Sequence, residues 1–384
     1  MNHTKHALST IGWGLFCACS WTWCIGMFLP IIFLRQFGWW GFIVFAVPNV
    51  LGCAAFGYFV NKKTSEDITR KHITAMRWFS YIVIAYHMFF IPFLVETAKL
   101  PLPNFIAQGF ETYLGVVLAC AVLAVAYAIS YTPRRFWLIA AVITYAISLA
   151  AFVQLGLAPL DEISFSGELP RNQLPWMALV IAFGFMLCPY LDLTFHHARC
   201  QTPSKHAFAV FGLSFTVMIL LTCAYSLSVT TGLTTLIAAH IFVQIIFTLA
   251  AHISQLRLTN TNNHAAIIIG GILVAAASWA IQRIDHPLVI GEEFYMRFLL
   301  FFSLIFPTYI LLFMGPGRTI KRSRKTLLWF FILIVASAPF YEIGFLHGSA
   351  WLLVFPIAAI FAWKLAIHFS ALPHIPSPPG RGLG

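Results

Sequence analysis

Charged side chains are scarce in this sequence. Asp, Glu, Lys and Arg make up 9% of its 384 residues, against about 25% in an ordinary soluble domain. Hydrophobic residues make up 60%, and the mean hydropathy is +0.85. A soluble protein of this length could not keep so much apolar side chain out of water. The composition therefore excludes a soluble fold and predicts an all-α polytopic integral membrane protein.

Acidic residues are scarcer than basic ones, with 12 Asp and Glu against 23 Lys and Arg and a formal net charge of +11. The basic residues do not cluster on a polar domain but lie between apolar runs, which is the pattern produced by membrane topology. The excess of positive charge therefore does not indicate nucleic acid as a partner. The expected partners are the lipid bilayer and a small-molecule solute.

Motifs that would indicate chemistry are missing as well. Eight cysteines occur, most of them inside apolar runs and none in a CxxC pair, so a disulfide framework or a zinc site is not expected. The sequence has no phosphate-binding loop, no nucleotide fingerprint and no histidine box. It therefore predicts a protein that is not an enzyme and holds no metal and no cofactor apart from a coupling ion.

Apolar runs long enough to cross a bilayer are what the sequence does contain. About 20 apolar residues span the hydrocarbon core, and on this basis the sequence predicts about twelve helices. Most Lys and Arg residues fall in alternate loops, which places both termini on the cytoplasmic side of the membrane. The expected membrane is a bacterial plasma (inner) membrane. The predicted helices are 8–34, 38–61, 76–97, 113–131, 134–157, 174–197, 207–230, 233–256, 264–284, 294–314, 326–345 and 349–370.

The predicted sixth helix carries a breaker and a charge in its apolar run. Pro189 removes a backbone donor and crowds the preceding turn, so carbonyls such as that of Phe185 lose their helical partner. Such groups are tolerated in a membrane only where they face protein or water. Asp192 follows within one turn. It either caps the second half of the helix or faces a polar cavity and attracts a cation or proton.

The predicted first helix contains Gly26 near its middle and Pro30 one turn later. Glycine permits close helix packing, and it also permits local unwinding. The first and sixth helices each begin a group of five. Interrupted helices at corresponding positions of two halves are the best sequence indication of a transporter site.

A polar row occupies the predicted eighth helix at steps of four residues, which keeps its members on one face. Its members are His240, Gln244, Thr248 and His252. They either form hydrogen bonds between helices or line a central cavity, and His87 on the third helix has the same two interpretations. His196 and His197 lie at the cytoplasmic end of the sixth helix and are assigned interfacial or phosphate-facing roles at most.

Residues 20–59 resemble the start of the core of the sodium:solute symporter family. The resemblance rests on Ser20-Trp21-Thr22-Trp23 and on Val47-Pro48-Asn49-Val50-Leu51, and it covers about a tenth of the chain. It implies the LeuT-type inverted repeat of five plus five helices, here 8–157 and 174–314, with two extra helices at 326–370. A single transmembrane domain would then cover 1–370, and the Pro- and Gly-rich tail 371–384 is predicted to be disordered.

The resemblance also implies a binding site between the first and sixth helices, flanked by the third and eighth. The substrate residues so predicted are Trp21, Trp23, Cys24, Gly26, His87, Leu187, Cys188, Tyr190, His240 and Gln244. Asp192 and Thr248 are predicted to couple transport to sodium or to a proton. The chain departs from the family in having Cys24-Ile25 where relatives often have proline. It also has the single Thr248 where they have adjacent hydroxyls, so a proton is the simpler coupling ion.

These features together predict a secondary active transporter that moves a small polar solute by alternating access. Aromatic side chains at Trp21, Trp23 and Tyr190 would stack on a ring or a cation, or else simply pack in the core. The alternative function is a symporter-like membrane sensor or scaffold that does not transport.

Overall fold

The computed structural model describes residues 2–98, 111–226, 234–259, 264–284, 291–315 and 320–369. All regular secondary structure in these ranges is helical. The main helices are α1 Asn2–Trp21, α2 Cys24–Phe37, α3 Trp39–Phe59, α4 Lys62–Thr97, α5 Leu114–Ile129, α6 Arg134–Leu155, α7 Leu174–Leu187, α8 Leu193–Gln201, α9 Ala207–Tyr225, α10 Thr235–Leu258, α11 His264–Ile281, α12 Gly291–Met314, α13 Arg324–Leu346 and α14 Val354–Phe369. The predicted tail 371–384 lies outside the described residues.

The helices have the length and composition of membrane spans. Within the described ranges, nine are long and apolar enough to cross a bilayer, or ten if the bent pair α1 and α2 counts as one. Two shorter apolar helices cover Leu114–Ile129 and Ala350–Ala366. The prediction of an all-helical polytopic membrane protein is confirmed at this level.

The outer surface of the bundle is apolar. Large hydrophobic side chains such as Val153, Leu273 and Phe331 are more than half exposed on α6, α11 and α13. In water such a surface would drive aggregation, whereas against lipid tails it costs nothing. The polar row of α10 lies inside instead, because burying it among helices supplies the hydrogen-bond partners that lipid lacks.

The predicted first span, 8–34, is two helices rather than one. α1 and α2 meet at an angle of 62° across Thr22 and Trp23. Trp23 has an extended backbone (φ −75°, ψ 175°), and the Thr22 hydroxyl donates to the Ala18 carbonyl at 2.8 Å. Gly26, where the sequence placed any unwinding, lies inside α2. The break is thus three to four residues earlier and does not depend on a glycine.

The charged residues 62–72 lie between the predicted helices 38–61 and 76–97, where a loop is expected, but they are helical. Asn61 caps the start of α4 by accepting a hydrogen bond from the Thr64 amide at 2.9 Å. Such a cap satisfies an amide that would otherwise lack a partner. The helix then continues to Thr97 through a kink at His72 (φ −120°, ψ 16°). The prediction was wrong because it treated high charge density as a loop signal, although a capped amphipathic helix has the same composition.

Candidate functional site

The first interruption of the bundle, between α1 and α2, is held by side chains from other helices. The Cys24 amide donates to His87 Nε2 at 3.2 Å, and the Cys24 carbonyl accepts from the Tyr295 hydroxyl at 3.0 Å. On the α1 side, the Cys19 carbonyl accepts from Thr248 Oγ1 at 3.1 Å. For the Cys24 amide and the Cys19 carbonyl, these protein groups replace hydrogen bonds that a continuous helix would have made within itself.

His87 is held in one tautomer by these contacts. Its Nδ1 lies 2.7 Å from the Val83 carbonyl, which can only accept a hydrogen bond, so Nδ1 carries the proton. Nε2 is then the acceptor for the Cys24 amide. The structure places His87 at the break, as the sequence predicted, but both ring nitrogens are occupied by backbone groups.

The two tryptophans at the break are packed into protein. Trp21 Nε1 donates to Asn49 Oδ1 at 2.7 Å, and Trp23 Nε1 donates to the Ser20 carbonyl at 2.6 Å. Their ring centroids are 4.4 Å apart, and both side chains are buried. Asn49 belongs to the segment that carried the family resemblance, and its contact with Trp21 gives that segment a structural role beside the break.

The second interruption lies where the sequence predicted it. α7 ends at Leu187, a single 3₁₀ turn covers Cys188–Leu191, and α8 starts at Leu193. The Phe185 carbonyl, predicted to lose its helical partner, lies 3.7 Å from Cys53 Sγ. Leu187 and Tyr190 are half-buried here. Thiols are weak donors, but they supply part of what the broken helix leaves unsatisfied.

His196 stabilises the same break, a role that the sequence did not indicate. Its Nε2 donates to the Tyr190 carbonyl at 3.0 Å, and its Nδ1 lies 2.7 Å from the Ser65 hydroxyl. The prediction had assigned this histidine to the cytoplasmic interface, but the side chain is buried. The signal was hidden because Tyr190 is six residues away, beyond the spacing of helical neighbours.

Asp192 fills one of the two roles that the sequence left open, the cap of the second half-helix. One carboxylate oxygen, Oδ1, accepts from the Thr194 amide at 2.7 Å and from the Thr194 hydroxyl at 2.8 Å, which is a helix cap. The Thr194 hydroxyl oxygen is also 3.1 Å from the Ser20 hydroxyl of α1. The second oxygen, Oδ2, is buried with no hydrogen-bond partner.

The polar row of α10 contacts three helices: His240 and Gln244 reach α6, whereas Thr248 bonds to Cys19 of α1 and His252 to Ser80 of α4. His240 Nδ1 and Gln244 Nε2 both lie 2.9 Å from Ser148 Oγ, whose own proton goes to the Thr144 carbonyl at 3.0 Å. His240 therefore donates through Nδ1. This leaves His240 Nε2 and Gln244 Oε1 as buried acceptors without partners, and His252 Nε2 is likewise unpartnered.

Phe302 of α12 brings the two interruptions together. Its ring lies 5.1 Å from that of Trp23, and its carbonyl accepts from Cys188 Sγ at 3.2 Å. Phe302 belongs to a π-helical turn, Phe301–Ile305, and such turns often occur at functional sites. Sequence reasoning missed this residue, because one phenylalanine among 38 carries no signal and the π turn is invisible in the pattern.

Among the cavities lined by described residues, three open toward the ends of the bundle, and one of these reaches Leu193 and His196 beside the second break. Two, with volumes of about 330 and 350 Å³, lie at the end that holds the start of α1. The third, of about 380 Å³, lies at the opposite end between Phe28, Glu162 and Glu292. None of the three is lined by Trp21, Trp23 or Cys188. The predicted substrate residues around the two breaks are instead packed against protein.

Among the described residues, no group of three or more His, Cys, Asp or Glu side chains is arranged to hold a metal ion. Comparison of the chain with protein-family models finds no match, and comparison with curated proteins finds no significant match. The resemblance to sodium:solute symporters therefore rests on the short motifs alone.

Proposed function

We propose that this protein is a secondary transporter of a small polar solute. The observation that carries the proposal is the juxtaposition of two interrupted helices inside one membrane bundle. The α1–α2 break and the α7–α8 break are joined by the Thr194–Ser20 contact and by Phe302. Half-helices that meet at such breaks can rock against the rest of the bundle, which is the basis of alternating access.

The proposed topology has about twelve spans in a bacterial plasma membrane, with both termini on the cytoplasmic side. Counting α1 with α2 as one span, and adding the two shorter apolar helices to the nine long ones, supports this number. The excess of Lys and Arg on the side that holds the start of α1 supports the orientation. Two repeats of five helices would then place both breaks in corresponding positions.

The proposed coupling ion is a proton. The Asp192 carboxylate has one buried oxygen without a partner, and His240 and His252 each have a ring nitrogen in the same condition. A proton on the Asp192 carboxylate would neutralise its buried charge and so lower the cost of burial, whereas a proton on either histidine would leave a buried cation whose new N–H group has no partner. Thr248, predicted to take part in sodium or proton coupling, donates to the Cys19 carbonyl.

The test is uptake into proteoliposomes. Wild-type protein would be reconstituted with an imposed pH gradient and supplied with radiolabelled amino acids, sugars and carboxylates in turn. Asp192→Asn keeps an acceptor for the Thr194 amide but cannot ionise, so we expect it to lose gradient-driven uptake. Asp161→Asn, an exposed acid outside the bundle breaks, is the matched control. Equal uptake by Asp192→Asn and wild type would remove the carboxylate from the mechanism.

A non-transporting sensor or scaffold is the second candidate. It is favoured by the dry packing of the first break, where Cys24, Cys19 and Gly26 all have protein partners for their carbonyls. Saturable solute binding by the purified protein, without flux in the same proteoliposomes, would select this alternative over transport.

A further inference from the structure

We infer that the cavity of about 330 Å³ at the cytoplasmic end binds a small carboxylate or phosphate anion. The cavity lies between α1, the turn from α5 to α6, α8 and α10. The inference deepens the proposed function by naming the anion as the transported solute. That assignment rests on the proposed function. A volume of this size is at the lower end of that of small-molecule sites, which fits a solute of few atoms.

Two neighbouring side chains of α10 leave their polar groups open to this cavity. Ser254 and Gln255 are each only 7% exposed, and both line the cavity. Within the described part of the chain, neither the Ser254 hydroxyl nor the Gln255 amide has a hydrogen-bond partner. Both residues line the cavity, so their free polar groups are available to whatever occupies it. These two groups therefore point to a ligand that accepts hydrogen bonds.

Arg257 supplies the positive charge. Its Nη1 donates to the Ser130 carbonyl at 2.8 Å and lies 3.3 Å from Ser130 Oγ, while the guanidinium packs over the Tyr131 ring at 3.2 Å. A guanidinium has five N–H donors in a fixed fork, so this arrangement leaves donors free for a carboxylate or phosphate. No Asp or Glu of the described residues pairs with Arg257.

The remaining lining residues do not cancel the charge of Arg257. None of those described is acidic; the polar ones are hydroxyl-bearing Ser130, Tyr131 and Thr132, together with His197 of α8. A simpler account is that Arg257 only marks the cytoplasmic end of α10 and stacks on Tyr131. That account explains the arginine but gives no role to Ser254 and Gln255, which line the same cavity.

The position of the cavity connects it to the second helix break. His197 and Gln255 also line the neighbouring cavity of about 350 Å³, which extends to Leu193 and is lined by both Glu66 and Arg70. Leu193 directly follows Asp192. An anion bound beside Arg257 would thus lie on a route from the cytoplasm toward the site of the proposed coupling.

The experiment is isothermal titration of the full chain in neutral detergent with acetate, succinate and inorganic phosphate at constant ionic strength. We expect saturable binding of at least one probe to wild type. Arg257→Gln should weaken that binding about tenfold or more, because it removes charge-assisted hydrogen bonds. Arg324→Gln removes the same charge from an exposed position at the same end and should bind as wild type does.

Gln255→Leu serves as a second variant because it leaves the Arg257 contacts intact. It should weaken binding several-fold even if Arg257→Gln does not fold. Equal affinities for wild type and Gln255→Leu, or no heat of binding with any probe, would overturn the inference. Anion binding without flux would count against the proposed transport but would support the anion site. Flux of a neutral solute without anion binding would support transport and overturn the anion site.

A phospholipid headgroup presents the same phosphate chemistry as free phosphate. Native mass spectrometry after reconstitution with phosphatidylglycerol separates the two sources. The site would be assigned to lipid if wild type and Arg324→Gln retain phosphatidylglycerol, Arg257→Gln does not, and free anions do not compete. That result would overturn the solute assignment. Competition by succinate or phosphate would support it.

Discussion

His87 of α4 accepts a hydrogen bond from the backbone amide of Cys24, 3.2 Å away, at the point where the chain leaves α1 and enters α2. This contact explains how a helix can stop in an apolar environment without proline or glycine at the stopping point. The amide released by the bend finds an imidazole nitrogen that a second backbone group, the Val83 carbonyl, has already fixed as an acceptor. The histidine thereby stabilises the interruption itself.

Replacing His87 with leucine should therefore destabilise the protein by about 1–3 kcal/mol, because the Cys24 amide would be buried without a partner. Chemical unfolding in detergent, followed by tryptophan fluorescence, would measure the change. His6→Leu, at an exposed position on α1, is the matched control and should leave stability unchanged. If His87→Leu were as stable as wild type, the contact would have no structural importance.

Asp192 should tolerate asparagine better than alanine in a stability measurement. Asparagine keeps an oxygen for the Thr194 amide, whereas alanine removes the cap and should cost about 0.5–2 kcal/mol. Thermal unfolding of both variants in the same detergent tests the difference. The capping interpretation fails if Asp192→Ala melts at the same temperature as Asp192→Asn.

Gly184 allows α7 and α12 to approach each other beside the second break. A Cβ atom at Gly184 would lie 2.7 Å from the Phe302 carbonyl oxygen and 3.2 Å from Ser303 Cα, so Gly184→Ala must push the helices apart. We expect a loss of about 1–3 kcal/mol. Gly270→Ala on α11 is the control, since a Cβ there meets nothing within 4 Å. It should be neutral or stabilising, and equal losses at both positions would contradict this prediction.

Sodium should not stabilise the protein beyond what potassium does. The Thr248 hydroxyl donates to the Cys19 carbonyl at 3.1 Å, so the carbonyl and hydroxyl are paired with each other. An ion that bound the folded state would raise its stability with concentration. Melting temperatures in matched sodium and potassium chloride should therefore coincide within about 1 °C, and a clear rise with sodium would indicate that the ion breaks this hydrogen bond.

Much of the helix pattern could be predicted from the sequence, because bilayer thickness fixes how long an apolar run must be. The break at Pro189 was also predictable, since proline is incompatible with the preceding helical turn whatever surrounds it. The position of the other break was not. It depends on His87 reaching Cys24 from a helix more than sixty residues away, and no local pattern encodes that approach.

The sequence indicated which residues lie inside the bundle better than it indicated which residues they contact. The sequence indicated that the row from His240 to His252 would face the interior, and these side chains are buried. It did not indicate that Trp21 would be tied to Asn49 or that Phe302 would lie between the two breaks. Such contacts depend on how three-dimensional packing aligns different helices, and a single sequence does not show that alignment.

The burial of the thiols has a practical consequence for experiments on this protein. All eight cysteines are free; six are buried, while Cys120 and Cys200 are partly accessible. Replacing those two would give a folded chain that reacts slowly with a maleimide reagent until it opens. A single cysteine could then be introduced into a cavity at one end of the bundle. Its rate of reaction with the maleimide would measure how accessible that end is. The six remaining thiols would report, by their late reaction, when the whole structure is lost.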